Sequence, residues 1–167
     1  MSGRIALQLA MPPDWERIET VRQAVALCVG TVFGETNLQH SISMVSAELL
    51  ENAVKHGNSA DPVGLSIEER QDTIVIVVTN RSDDVEQNTR LLSERIAWIR
   101  SFDDSESAYI AAMEKAYAEM STGGLGLPRI IHEGCCAVTW ATPTPGQIAV
   151  SAVLDVPPAA RSVTVAS

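Results

Sequence analysis

The chain has 167 residues, 46% hydrophobic and 20% charged, which excludes intrinsic disorder and suffices for one buried core. Its formal net charge of −9 argues against a nucleic-acid partner, because phosphate backbones are bound by clustered Lys and Arg. A membrane span is excluded as well, since the longest nearly apolar run, Ala24 to Phe33, is far short of the ~20 residues required.

Arg4 to Ala10 alternates in polarity and predicts a first strand. Pro12-Pro13-Asp14 breaks it and opens a helix expected to reach about Phe33, with Gly34 as its stop. Thr36 or Asn37 is the expected cap of a second helix, Leu38 to His56, which ends at Gly57-Asn58. Val63, Leu65 and Ile67 alternate with polar neighbours as a half-buried strand, and the β-branched run Thr73 to Thr79 predicts a central one. Polar residues from Asn80 to Gln87 are expected to end that strand. Helical patterns follow at about 85–100 and 105–120, separated by Ser101-Phe102-Asp103-Asp104. Beyond Ser121-Thr-Gly-Gly-Leu-Gly-Leu-Pro128, a short helix is expected to stop at Gly134. A hairpin then pairs 136–142 with 147–156 around Pro143-Thr-Pro-Gly146. The order β-α-α-β-β-α-α-α-β-β predicts an α+β two-layer sandwich, its mostly antiparallel mixed sheet covered by helices on one face. Residues 1–156 are expected to form a single domain and 157–167 a flexible tail.

The opening residues show no secretory pattern, and Cys28, Cys135 and Cys136 have neither disulfide-friendly nor zinc-ligand spacing. A cytoplasmic protein with reduced thiols is expected.

Two motifs bear on function. Glu48, Asn52 and His56 recur at i, i+4 and i+8, so they stack along one side of the second helix, and Glu51 and Lys55 join that side at ~100° per residue. The opposite arc is apolar from Ile42 to Val54. Any amphipathic helix has a polar face, but Asn is a mediocre helix former, and its amide oxygen suits Mg²⁺ beside phosphates. Ser121 to Leu127 is the second motif. Its glycines permit close backbone approach to phosphate, yet it is neither a P-loop nor a dinucleotide fingerprint. By itself it also reads as a turn between helices. Asp83-Asp84 and Asp103-Asp104 are read as solvated caps, and Trp98, Ile99 and Phe102 as core or partner surface.

Glu48-Leu-Leu-Glu51-Asn52-Ala-Val-Lys55-His56-Gly57 resembles the N-box of the GHKL, or Bergerat-fold, histidine-kinase-like ATPases. Gly124-Leu125-Gly126-Leu127 is similar to their G2 box in composition and in order along the chain. The small standalone anti-sigma-factor or serine-protein-kinase type is the branch it resembles. That resemblance implies Mg²⁺-ATP as ligand, Asn52 as the Mg²⁺ ligand and Glu48 as the catalytic base. It also implies nucleotide contacts from Lys55, His56, Asn80, Thr122, Gly123, Gly124 and Gly126. The implied partner is an anti-sigma-factor-antagonist (STAS-like) protein phosphorylated on serine, with homodimers common among such regulators. The pattern departs from the family after the central strand: Asn80-Arg81-Ser82 stands where Asp-x-Gly is expected, and about forty residues predicted to be helical occupy the lid. A divergent subgroup with Asn for Asp and a helical lid looks similar. The alternative is an interaction module that kept the ATPase fold and lost nucleotide binding.

Overall fold

The computed structural model describes residues 4–121 and 123–161. Inward-facing Leu65, Ile67, Ile74, Ile76 and Val78 are almost completely buried, and burial alternates along the two central strands as period-2 patterning requires. These strands belong to a five-stranded sheet of β1 (Ala6–Met11), β2 (Val63–Arg70), β3 (Thr73–Arg81), β4 (Ala137–Ala141) and β5 (Gln147–Asp155), in the order β1-β2-β3-β5-β4. All neighbouring strands pair antiparallel, so the sheet expected to be mostly antiparallel is so throughout. The reason is topological. The hairpin after β4 feeds β5 back between β4 and β3, so β5 runs opposite to both.

Helices α1 (Trp15–Phe33) and α2 (Thr36–His56) pack on each other, and α2 lies on β2 and β3. Three more helices, α3 (Val85–Arg100), α4 (Ser105–Ala118) and α5 (Gly126–His132), bridge β3 to β4. The two-layer α+β sandwich is thus the observed architecture. Asp14, Asp84 and Asp104 cap α1, α3 and α4, their carboxylates accepting from Glu16 N, Gln87 N and Ser107 N at 3.0, 2.9 and 2.7 Å. The cap of α2 is Glu35 rather than Thr36 or Asn37. Its side chain reaches forward to accept from Asn37 N at 3.0 Å and Leu38 N at 2.5 Å.

Further expectations are revised. Strand β3 continues through Asn80, because Asn80 pairs with Ile148 in the β3–β5 ladder. Residues 158–161, expected to fray, form helix α6 (Pro158–Arg161); Ala160 is buried and its carbonyl accepts from Arg4 Nη1 at 2.5 Å. That arginine is anchored in turn by Glu69, 2.6 Å from its Nη2. Ile99 is buried, and Trp98 and Phe102 meet edge to face at 4.9 Å against the core, so this trio packs inward.

The apolar arc of α2 comprises Ile42, Val45, Leu49, Leu50 and Ala53, all buried, and it fixes how the helix is rotated above the sheet. Leu50 has no exposed surface. Leu50→Ala is expected to cost about 2–5 kcal/mol of stability in urea unfolding, through lost transfer energy and the cavity left behind.

Candidate functional site

With its apolar arc pinned to the sheet, α2 projects Asn52, Lys55 and His56 toward the end of the sheet where β3 and β5 supply Val78, Asn80, Ile148 and Val150. These groups enclose a cavity of about 340 Å³. Asn88, Leu91, Leu92 and Arg95 of α3 form one wall, and Gly124, Gly126 and Leu127 another. Its size and its apolar lining, with a few convergent polar groups, are those of a small-ligand site.

Six of the expected site residues meet here across long sequence separations. Asn52, Lys55, His56, Asn80, Gly124 and Gly126 all line the cavity. Glu48 does not line this cavity but a second cleft on the far side, and it approaches the cavity only at Gly126, where a methyl group would come within 2.9 Å of Glu48 Oε2 and 3.5 Å of Asn52 Nδ2. Gly123 adjoins Lys55, whose Nζ lies 3.7 Å from where a Cβ would be. At Gly124 φ is +83°, a conformation that favours glycine, and a Cβ there would lie 2.9 Å from Arg95 Nη2. Thr122 lies outside the described residues.

Asn80 is buried at the cavity floor, its Nδ2 donating to Arg81 O at 3.4 Å. Gly57 follows α2 with φ −86° and ψ 176°, so its glycine serves close approach rather than a left-handed turn. A Cβ on Gly57 would sit 2.5 Å from Ala53 O and 2.8 Å from Asn80 Nδ2.

The polar side of α2 is not one surface. Glu51 turns away from the cavity into a second cleft with Trp15, Arg22, His40 and Arg129. There burial, and then the Glu48 charge, push its carboxyl pKa up. The separation follows from the helical angle, because Glu51 and Asn52 diverge by ~100° around the helix axis.

Sequence reasoning missed three residues that shape the site. Asn88 Nδ2 donates to His56 O at 2.9 Å and to Ser82 Oγ at 2.7 Å, fastening α3 to the ends of α2 and β3. Arg95 donates to Gly124 O and stacks over Trp98 at 4.6 Å, so the helical lid is tied to the glycine turn. Arg129 Nη1 donates to Glu48 Oε1 at 2.8 Å, and its Nε donates to Glu133 Oε2 at 3.0 Å. Their spacing in sequence signals none of these, since Arg95 and Gly124 are 29 residues apart and Glu48 and Arg129 are 81 apart.

Among solved structures, a chain of the SiaB–SiaC complex from Pseudomonas aeruginosa matches with a TM-score of 0.66, over 91% of this chain and 90% of that one. The two share a fold. Their sequences are 18% identical, so the likeness concerns architecture alone. No family model matches the chain, and no curated protein matches it. Among the described residues no helix is long and apolar enough to cross a membrane.

Burial, and then the neighbouring Lys55 ammonium, lower the His56 pKa. A depressed histidine pKa means that the unfolded chain binds more protons, so His56 costs stability as pH falls through the ordinary range near 6.5. His56 is expected to titrate below that value by NMR. Lys55→Ala should raise its pKa, because a cation that opposes protonation is removed.

Proposed function

We propose that this chain is a bacterial partner-switching regulator of the histidine-kinase-like ATPase family, which binds Mg²⁺-ATP and transfers its terminal phosphoryl group to a serine. The acceptor in this reading is a small regulatory protein of the anti-sigma-factor-antagonist (STAS-like) type. The observation that carries the proposal is the convergence of Asn52, Lys55, His56, Asn80, Gly124 and Gly126 on one cavity. The residues fit the ligand chemically. Asn52 offers a neutral amide oxygen for a hard cation, and Glu48 stands one turn earlier beside Gly126. The turn from Gly123 to Gly126, without a side chain at 123, 124 and 126, offers a cradle that added methyl groups would fill.

Mg²⁺ would supply charge neutralisation for the phosphates. Lys55 adds a cation, while Val78, Ile148, Val150 and Leu92 offer apolar surface to a base, with Asn80 as its polar contact. Glu48 accepts the proton of the incoming hydroxyl, as a positioned general base. Arg95 and Asn88 hold α3 over the site and restrict water. The neighbour of matching fold was solved in a complex of two proteins, which favours a protein partner for this chain too.

A second reading, an interaction module of this fold without nucleotide, draws on the Asn80 side chain. It donates back to the chain at Arg81 O, and the segment after it contains no glycine up to Gly123. Calorimetry separates the two readings. Wild-type protein is expected to bind Mg²⁺-ATP and to melt at higher temperature with millimolar ligand, because a ligand of the native state stabilises it by RT ln(1 + [L]/Kd). Asn52→Ala is expected to abolish the Mg²⁺-dependent binding with its fold intact by circular dichroism. Unchanged affinity in that variant, or no binding by the wild type, would overturn the nucleotide reading.

A further inference from the structure

We propose that Arg129 is the positioning residue for Glu48, held in place by a chain of hydrogen bonds that starts on α4. This inference rests on the nucleotide reading above. Tyr109 of α4 donates its hydroxyl to Glu133 Oε1 at 2.8 Å, and Glu133 Oε2 accepts from Arg129 Nε at 3.0 Å. Arg129 Nη1 then reaches across to Glu48 Oε1 at 2.8 Å. Two edges of one guanidinium are therefore engaged by two carboxylates on different elements, which fixes its plane.

The two oxygens of Glu48 have different surroundings. Oε1 is held by Arg129, whereas Oε2 faces Gly126, where a Cβ would be only 2.9 Å away. Glu48 and Arg129 line the second cleft, and Gly126 lines the nucleotide cavity, so Oε2 meets the cavity only across the side-chain-free position 126. A base oriented by a third group is the arrangement that an activated hydroxyl requires. In the reaction, the attacking hydroxyl oxygen bonds to the terminal phosphorus of ATP while the bond to ADP breaks. ADP keeps that electron pair, and the hydroxyl proton passes to Glu48 Oε2 and on to solvent. Arg129 keeps the other oxygen engaged, so Oε2 cannot rotate away from the cavity. The Glu48 side chain is 16% exposed and that of Arg129 38%, so the carboxylate is the shielded member of the pair.

With water as the acceptor, release of phosphate from Mg²⁺-ATP is the activity to follow. Arg129→Gln is expected to lower kcat about tenfold or more while the KM and the calorimetric Kd for Mg²⁺-ATP change less than about twofold. Arg129→Lys should recover part of kcat, and Tyr109→Phe should fall between wild type and Arg129→Gln. In a Glu48→Gln background, Arg129→Gln should have no further effect on kcat, because residues acting as a unit are not additive. The same pair should show coupling in a urea-unfolding double-mutant cycle, a readout independent of turnover. Loss of nucleotide affinity in Arg129→Gln, additive effects on kcat, no coupling in urea, or a wild type that binds nucleotide without turnover would each overturn the assignment. A wild type that fails to bind Mg²⁺-ATP would overturn the nucleotide reading and this one together, whereas normal binding without the kcat effect overturns this one alone.

Discussion

The close approach of α5 to α2 at Gly126 is the constraint on which the rest of the site depends. Helix α2 cannot be rotated to make room, because Ile42, Val45, Leu49, Leu50 and Ala53 bury its other side. Any side chain at position 126 would therefore meet the Glu48 carboxylate and the Asn52 amide, which would have to move from their positions. Packing thus sets the orientation of the polar residues, and the absence of a side chain sets how near the opposing wall can come. A close-packed core transmits such constraints with little give.

The segment between β3 and the glycine turn adds a second layer of control. Helices α3 and α4 are capped by Asp84 and Asp104, and α3 is fastened at both ends of the cavity, by Asn88 to His56 O and by Arg95 to Gly124 O. Buried Ile96 and Ile99 pin the inner side of this helical wall. On α4, Ile110, Met113 and Tyr117 remain exposed, so the helix that reaches Arg129 through Tyr109 also carries apolar surface.

What the sequence disclosed and what it withheld divide along the range of the interactions. Helices α1 to α4 and strands β2, β3 and β5 follow from periodicity and punctuation within a dozen residues, and the structure places them close to where that pattern puts them. The cap of α2 was misread because Thr36 is the better local candidate, while Glu35 satisfies both Asn37 N and Leu38 N with one carboxylate. Helix α6 was missed because its stability comes from Ala160 in the core and from Arg4, 156 residues away. In the site, Glu48, Asn52, Lys55 and His56 were legible from helical spacing and the glycine turn from composition. Arg95, Asn88 and Arg129 were not. Their partners are side chains and carbonyls brought near by tertiary packing, and a lone Arg or Asn on a helix reads as solvated.

The cavity between α2, α3 and the glycine turn is the proposed ligand site. Titrating isotope-labelled protein with Mg²⁺-ATP and following its amide spectra tests this most directly. The largest shifts are expected on the backbone amides of Gly123, Gly124, Gly126 and Asn80, and on the side-chain amide of Asn52. Spectra that stay unchanged at millimolar nucleotide, or shifts confined to the outer face of the sheet at residues such as Ser66, Val77 and Thr139, would contradict it.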